Sequence, residues 1–496
     1  MKRIYFLILL LFQLGSLCAQ KQNYMWCFGD SAGMNFNFNP PHTFTSQCKT
    51  RGSATSVADT AGNLILYTAE TPWGTYPRRT RVFNSQGNII QNGDSIIGLG
   101  WYNEHVLLPA PGFENLFYLF SVGVTNDYGL YYSIIDMNLN GGMGGVVQKN
   151  IQLLSYEMED GVQAIKHGNG RDWWIFCHRW DISNNDYYRY LLTPNGIQGP
   201  FIQSIGDSSA GSGLSFSFSK SGRKAAVVNY GALFELFNFD RCTGLFSINP
   251  LYTFSNTSIT YNDFWSCEFS PNENVLYISQ PQYSVSYLLQ LDLTDSVPWN
   301  TRDTLWSQPN IRYCGGALEL APDERIYYAT TWYDGVNFPY PYPDTAYYLE
   351  NMNLGVINYP DSFGATCDFQ PYGFNLGGNR TYSGLPNNPD YNLEPDQGAL
   401  CDSLSVGITP ITISKRGLKI FYHSDWQTAF INAEGLKGEN YSLNIFNIEG
   451  KSIFNEQGKL SAQYFIKDLP CNFASGSYIV SLATEKEILS SKFIIP

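Results

Sequence analysis

Six copies of a short polar turn, spaced almost evenly, constrain the fold of this chain more than any other feature. An apolar strand follows each turn at once, as in SPNENVLYIS from Ser270 and APDERIYYA from Ala321. The reference positions of the turns are 51 to 56 residues apart and are Gly62, Glu114, Gly170, Gly222, Glu273 and Glu324. Periods near fifty residues are typical of propeller or solenoid arrays. Third strands also align within each period and no helical heptad occurs, so the sequence predicts an all-β propeller with roughly four strands in each blade.

The two ends of the repeat region predict how the ring closes. Tyr24 to Phe38 (YMWCFGDSAGMNFNF) has the pattern of two short strands before the first full repeat, and Thr366 to Arg380 falls where a seventh turn is expected. We interpret them as two half-blades that complete one ring. The prediction is a seven-bladed propeller over residues 24–386, closed so that no sheet edge is exposed.

The C-terminal fifth of the chain has a different pattern. Residues 387–415 are rich in Pro, Asn, Asp and Gly with little periodicity, which predicts a linker. Residues 416–496 alternate as strands, with hairpin positions at Glu449-Gly450 and Glu485-Lys486. A strand set of this length predicts a small, immunoglobulin-like β-sandwich.

The N-terminus predicts export. Residues 1–19 combine Lys2 and Arg3 with an apolar core and a small residue at Ala19, as a secretory signal peptide does. A lipoprotein signal ending at Cys18 is the alternative, although Leu17 stands where a small residue is expected. No later apolar run is long enough for a transmembrane helix. Without the leader the formal charge falls from −13 to −15, which argues against nucleic acid as a partner.

Nine cysteines remain in the chain after the signal peptide, so at least one must stay free or pair outside it. Cys314 and Cys367 each lie about ten residues before a predicted turn, at equivalent heights in adjacent blades. We therefore expect these two to form a disulfide, provided that their Cα atoms approach within about 7 Å. The spacing of Cys and His predicts no metal site, and no cofactor motif is present.

Two regions resemble known families. The stretch from Trp26 to Pro386, with DTAGNLILYT, HGNGRDWWIFCHR and ALELAPDERIYYA, resembles secreted propeller-like proteins of Bacteroidetes, which are distant in sequence from WD-repeat propellers. The tail, with IFNIEGK from Ile445, GSYIV from Gly476 and SKFII from Ser491, resembles the type IX secretion C-terminal sorting domain. One departure is that the chain ends in Pro496 without the charged last residues of many members.

The tail resemblance implies a route. Its members are exported to the periplasm by the signal peptide and carried across the outer membrane by the type IX machinery, which would be this chain's partner. The domain is usually then removed, sometimes with attachment of the cargo to surface lipopolysaccharide. The residues that match the sorting motifs are Gly450, Lys451, Gly476, Tyr478 and Lys492.

Candidate chemical groups are few. His167 and His105 each have an acidic neighbour, but His167 occupies the turn position of Ser219 and Ser270, where a polar side chain hydrogen-bonds turn amides. Glu268 and Glu319 are equivalent residues of consecutive inner strands and are expected near the axis. They could serve glycoside chemistry, hold a cation, or be hydrogen-bonded structural groups.

Aromatic residues predict a binding face. Loops between second and third strands must emerge opposite the polar turns, and they are rich in aromatic side chains suited to sugar rings or a protein partner. The alternative is that these side chains pack on one another and stiffen the loops. The residues are Trp73, Tyr76, Trp180, Trp332, Tyr333, Tyr340 and Tyr342.

Three classes of function stay open. The first is a secreted or cell-surface binding module for a glycan or a surface protein. The second is a propeller hydrolase or lyase acting on polysaccharide, although no catalytic motif is found. The third is a structural surface or adhesion component.

Overall fold

Seven small antiparallel sheets follow one another along the first three quarters of the chain, and a separate strand set forms the C-terminus. The computed structural model describes residues 20–495 except 53, 71–78, 100, 125–126, 182, 209–212, 256–263, 283–284, 310–313, 337–338, 400, 403–417, 424–427, 435, 437–439, 449, 461–463 and 471–472. Each of the seven sheets is one blade. The predicted seven-bladed propeller is therefore confirmed.

The blades are numbered in chain order. Their strands follow one another in sequence order from the axis outward, except that β18 and β19 of blade 5 both pair with β17. Blade 1 contains β1 (Met25–Phe28), β2 (Asp30–Asn35) and β3 (His42–Lys49), and blade 2 contains β4 (Ser56–Ala58), β5 (Leu64–Glu70) and β6 (Thr80–Asn84). Blade 3 contains β7 (His105–Pro109), β8 (Leu116–Gly123), β9 (Gly129–Asp136) and β10 (Gly145–Leu154). Blade 4 contains β11 (Met158–Lys166), β12 (Trp173–Arg179), β13 (Asp186–Thr193) and β14 (Gly196–Ser204). Blade 5 contains β15 (Leu214–Phe218), β16 (Lys224–Asn229), β17 (Leu233–Asp240), β18 (Leu245–Phe246) and β19 (Tyr252–Ser255). Blade 6 contains β20 (Ser266–Phe269), β21 (Val275–Pro281), β22 (Val285–Asp292) and β23 (Asp303–Pro309). Blade 7 contains β24 (Gly315–Leu320), β25 (Ile326–Thr330), β26 (Asn353–Ile357) and β27 (Phe369–Asn375). One short helix, α1 (Leu349–Met352), precedes β26, and 3₁₀ turns lie at Leu139–Gly142, Pro298–Thr301 and Gly364–Cys367.

The repeated turns have one shared backbone geometry. Their reference residues have positive φ at five of the six positions, including +62° at Glu273 and +63° at Glu324. In the third blade the left-handed residue is Asn115, next to the predicted Glu114. Each such residue ends a tight turn that returns the chain antiparallel, and glycine takes this conformation at least cost. The recurrence of the turn explains why the sequence period is so regular.

Apolar clusters between blades run round the whole ring. Each cluster combines side chains from adjacent blades, as where Trp26 of blade 1 meets Tyr327 of blade 7 edge to face at 5.9 Å. Both side chains are fully buried. Because the strands of each blade are buried on two faces, they are near-continuous apolar runs, and β8 is buried along its whole length.

The ring closes without a sheet shared between the chain ends. The predicted N-terminal half-blade pairs with β3 as a blade of its own, and the predicted C-terminal half-blade supplies β27, the outer strand of blade 7. Blade 1 meets the segment after β27 through backbone bridges between Asp30 and Arg380. The Arg380 Nε also donates to the buried Asp30 carboxylate at 2.8 Å. The half-blade interpretation is corrected because each end finds its strand partners locally.

Residues 381–402 form what we call the strap, a segment without regular strands that follows blade 7. Its first nine residues are all buried. Backbone hydrogen bonds join it to successive blades: the Ala317 amide donates to Ser383, and the Asn387 amide donates to Ala54. Although residues 387–415 have the composition of a linker, the part up to Asp402 therefore lies on the propeller.

The structure corrects the predicted disulfide. Cys314 and Cys367 are both free and buried. They belong to the same blade, with Cys314 just before the innermost strand and Cys367 just before the outermost strand. Three strand spacings separate these positions, roughly 14 Å, which is too far for a bridge. Among the described residues, a disulfide joins Cys242, after β17, to Cys401 of the strap, with 5.5 Å between Cα atoms.

Residues 418–495 form a two-sheet sandwich around a core of their own. One sheet has the order β28-β29-β32 and the other the order β31-β30-β33-β34. The strands are β28 (Leu418–His423), β29 (Thr428–Glu434), β30 (Asn440–Asn447), β31 (Ser452–Lys459), β32 (Tyr464–Pro470), β33 (Gly476–Thr484) and β34 (Ile488–Ile495). Fully buried Leu443, Ile445 and Val480 alternate with less buried residues, as expected for one inward face per sheet.

Candidate functional site

A cavity of about 710 Å³ lies at the centre of the ring. Its walls are the inner strands of blades 4 to 7, and the strap and residues 20–24 complete them. It reaches the polar turns of blades 5 and 7, where Lys220 and Glu324 are exposed. Clefts of roughly 300–1,000 Å³ are the usual size of small-molecule sites. The cavity is the strongest candidate for a binding site in the described part of the chain.

The alternation of the inner strands aims polar groups at the cavity. In β20, Cys267 and Phe269 pack into the core between blades 5 and 6, so that Glu268 between them faces the axis. Glu319 of β24 likewise faces the cavity, with Leu318 and Leu320 packed on its flanks. The expectation that these two carboxyl groups lie near the axis on neighbouring blades agrees with this placement.

Glu268 is the most constrained carboxyl group of the cavity. It accepts a hydrogen bond from Ser217 Oγ of blade 5 at 2.9 Å and another from its neighbouring Phe269 amide at 2.8 Å. Burial raises its pKa to about 7, despite the lowering effect of these hydrogen bonds. Burial also raises the pKa of Glu319, and the nearby Glu268 raises it further. Protonation of this pair therefore extends to higher pH than that of free carboxyl groups.

The raised pKa of Glu268 predicts a pH-dependent stability. A carboxyl group whose pKa is higher in the folded protein stabilises the fold fully below its ordinary pKa of 4.5, and this stabilisation is lost as pH rises towards about 7. The free energy of unfolding should fall across this window by on the order of 3 kcal/mol for this group. In Glu268→Gln the fall should be smaller by that amount, as measured by urea unfolding at pH 5 and pH 8. The exposed Glu324→Gln is the control, and an unchanged slope in Glu268→Gln would contradict the buried-carboxyl assignment.

The strap brings amides to the cavity. The Asn387 side chain donates to the carbonyl oxygens of His105 in blade 3 and Val162 in blade 4, both at 2.8 Å, and accepts from Gln163 at 2.8 Å. Asn388 Oδ1 accepts from Thr55 Oγ1 at 3.1 Å. These asparagines are not among the predicted site residues because residues 387–415 have the composition of a linker. The asparagine pair in LPNNPDYN was the available signal.

The predicted aromatic face is only partly assembled. Tyr342 is buried and stacks on Tyr382 of the strap at 4.1 Å, and Tyr340 meets the same ring edge to face at 4.9 Å. Trp332 stacks on the exposed Tyr348 at 4.5 Å. These contacts favour the alternative, in which the loop aromatics pack on one another.

The other predicted aromatic residues have different surroundings or lie outside the described residues. Trp180 is exposed in blade 4, where its amide donates to the Glu157 carbonyl. Tyr333 is half-buried beside Trp332. Trp73 and Tyr76 lie outside the described residues. A ligand role for the whole set stays a prediction.

The two histidines considered for catalysis have structural surroundings. His167 Nδ1 accepts a hydrogen bond from the Asn169 amide at 3.1 Å, in agreement with the predicted role of this position in bonding turn amides. His105 is buried, and its Nε2 lies 2.8 Å from Thr80 Oγ1. Burial lowers its pKa to about 3, so it is neutral in the physiological range.

A second set of buried acidic groups lies at the opposite end of blade 4. Glu159 is buried 3.5 Å from His178, and burial raises its pKa. The pKa of Asp160 is raised to about 8 by burial and by Glu104, Glu159 and Glu157. No group of three or more potential metal ligands occurs in the described residues. Within the same ranges, no helix has the length and apolarity to cross a membrane.

The residues of the sorting motif lie in one sheet of the sandwich. Gly450 has φ +79° in the turn between β30 and β31, and Gly476 begins β33 with φ +156°. Tyr478 is buried against Phe493 at 5.4 Å, and Lys492 is exposed on the adjacent strand. Lys451 donates its amide to Asn447 Oδ1 at 2.9 Å, which closes the first turn.

Fold and cavity together define an all-β propeller with a central ligand-sized site, followed by a C-terminal sandwich. Residues 427–496 match the family described as Secretion system C-terminal sorting domain. The chain thus carries a type IX sorting tail, which indicates secretion or export to the cell surface and points to a Bacteroidetes origin. A search of the curated proteins finds no match.

Solved structures similar to this chain are distant propellers. The periplasmic gluconolactonase of Pseudomonas aeruginosa is 11% identical with a TM-score of 0.42, over 62% of this chain and 89% of that one. The β-propeller domain of Myceliophteria thermophila Cps50 (Swd1) is 9% identical with a TM-score of 0.38, over 62% and 94%. Regucalcin, a calcium-binding protein of Agrobacterium tumefaciens, is 13% identical with a TM-score of 0.33, over 68% and 92%. Similarity at this level transfers no ligand and no activity.

Proposed function

We propose that this protein is an exported binding module that holds its ligand in the central cavity, with a glycan as the preferred ligand class. The observation that carries the proposal is a cavity of about 710 Å³ with both polar and apolar walls. Serine, asparagine and glutamine side chains offer hydrogen bonds to hydroxyl groups, and Tyr24 adds an aromatic ring to the lining. A few placed polar groups within an apolar wall are the usual composition of a specific small-molecule site.

A second function is a polysaccharide hydrolase. The observation that favours it is the Glu268–Glu319 pair, since two carboxyl groups with raised pKa values can divide general acid and base roles. Binding ranks first because no additional acidic or basic side chain is hydrogen-bonded to this pair in the described residues. Release of reducing sugar from a bound polysaccharide would support the hydrolase function instead of the binding function.

The route of the propeller belongs to the same proposal. The sorting tail supports delivery of the propeller to the outer face of the outer membrane, after a periplasmic stage that follows signal-peptide export. A module displayed there would meet glycans before they enter the cell. Retention in an insoluble surface assembly, with no ligand bound, would favour the structural or adhesion role instead.

Filling the cavity should abolish binding. Ser217→Trp places a bulky ring where a small side chain borders Glu268, so glycans bound on an array should be lost or bind at least roughly tenfold more weakly. The matched control is Ser85→Trp, since Ser85 lies in the exposed hairpin turn after β6, outside the cavity lining. Thermal unfolding establishes that both variants are folded. Array binding that survives a folded Ser217→Trp would place the ligand on another surface.

A further inference from the structure

The charges that line the cavity are strongly unbalanced. Five carboxyl groups and one ammonium group belong to the lining: Glu268, Glu319, Glu324, Asp390, Glu394 and Lys220. Lys220 lies at the exposed end and is ion-paired with Glu324 at 2.5 Å. The single basic group of the lining is thus already neutralised, and an anionic ligand would meet uncompensated negative charge.

The inner carboxyl pair lacks a basic partner within the lining. Glu268 contacts the Ser217 hydroxyl of blade 5 and the Phe269 amide of its own strand, and both groups are uncharged. Glu319 has Glu268 as its charged neighbour. On the strap, the acidic Asp390 interacts with Lys166 and Arg241, which lie farther along blades 4 and 5. A cation entering the cavity would therefore find two carboxyl groups available for it.

The geometry points to a ligand that carries a protonated amine on a polyhydroxylated scaffold, which is the chemistry of an amino sugar. Its ammonium group would lie between Glu268 and Glu319, and its hydroxyl groups would face the amide and hydroxyl side chains of the lining. This inference rests on the proposed binding function and specifies the ligand class. An ammonium group donates three hydrogen bonds, and charge-assisted bonds to carboxylates are the strong ones.

A hard metal ion fits the same pair less well. Calcium takes six to eight oxygen ligands and magnesium demands an octahedron. The described residues contain no group of three or more carboxylate, histidine or cysteine side chains placed for a metal. An organic cation needs fewer protein ligands because its scaffold makes the remaining contacts.

Binding of an amine also has a proton balance. Without ligand, the pKa values raised by burial let the carboxyl pair hold a proton as pH approaches neutrality. When the ammonium group enters, its nitrogen keeps all three protons, and the proton held by the carboxyl pair passes to the buffer. Up to one proton should therefore be released for each ligand bound near pH 7.

The test is calorimetry with the chain of residues 20–496 and matched ligand pairs. The probes are glucosamine, galactosamine and the glucosamine tetramer, each with its N-acetylated counterpart, in buffers of different ionisation enthalpy at pH 7. We expect the free amine of at least one pair to bind roughly tenfold or more tightly than its acetylated counterpart, with proton release. Glu268→Gln and Glu319→Gln should remove the preference, whereas Glu114→Gln, in the exposed turn of blade 3 and outside the cavity lining, should keep it.

Two results would overturn the amine inference. One is the absence of any amine preference in all three pairs. The other is displacement of the amine by millimolar calcium or magnesium together with metal binding that Glu319→Gln abolishes, which would make this a metal site. Neither result contradicts the proposed binding function. That proposal is contradicted by a different result, namely array binding that survives in a folded Ser217→Trp variant.

Discussion

A chain that ends at Arg380 should not fold into a stable propeller, whereas one that ends at Asp402 should. The difference is the strap, which buries Tyr382, Leu385 and Tyr391 almost completely and Leu393 nearly so. At roughly 1.5–3 kcal/mol for each buried side chain, their loss is about 6–12 kcal/mol. This equals the whole stability of a typical domain, which is about 5–15 kcal/mol.

Thermal unfolding and near-ultraviolet circular dichroism of the two truncated chains measure this effect. Cys401→Ser in the longer chain is the matched control, because it removes the bond to Cys242 and keeps the apolar contacts. It should cost only about 2–4 kcal/mol. Equal melting of the chains that end at 380 and 402 would show that the strap covers the propeller without stabilising it.

Removal of residues 418–496 should stop surface delivery and leave the propeller folded. The sandwich has a separate core formed by its own strands, so the propeller loses no buried contact of its own clusters. The truncated protein should accumulate in the periplasm, and cell fractionation with surface proteolysis measures this. Normal surface delivery without the tail would contradict the sorting role, and an unfolded product would show that the tail belongs to the core of the propeller.

Single substitutions in the tail sharpen the same experiment. Gly450→Val forces a β-branched residue to adopt φ +79° in the first hairpin turn, so it should impair delivery strongly. Lys492→Gln is the control, since its side chain is exposed on a paired strand. Equal loss in both variants would show that the hairpin geometry matters no more than this single charge.

Repeat spacing was sufficient to predict the propeller because local physics repeats in each blade. The turn that begins at Ser270 has a left-handed residue at Glu273, and an apolar strand follows it. Because each blade repeats this pattern, the period can be recognised in the sequence. The inward placement of Glu268 follows in the same way from strand alternation beside Cys267 and Phe269. The tail could also be predicted, since its glycine turns and motif residues lie within one C-terminal segment of the chain.

Contacts between distant segments could not be derived from composition. The loose pattern of residues 387–402 predicts a linker, yet the Asn387 side chain donates to the carbonyl oxygens of His105 and Val162, more than two hundred residues away. The cysteine pairing failed for the same reason: equivalent sequence offsets placed Cys314 and Cys367 in adjacent blades, whereas they stand at opposite edges of one.

The sequence alone therefore determined the blade period, the inward-facing carboxyl pair and the secretion tail, because each depends on residues close together in the chain. Only the tertiary structure decided how the ring closes, which cysteines pair, and that the aromatic loops pack on Tyr382. It also decided that Glu268 and Glu319 share the central cavity with the strap. These features depend on which segments, distant in sequence, pack together. The burial that results from this packing sets the pKa values of the cavity carboxyl groups.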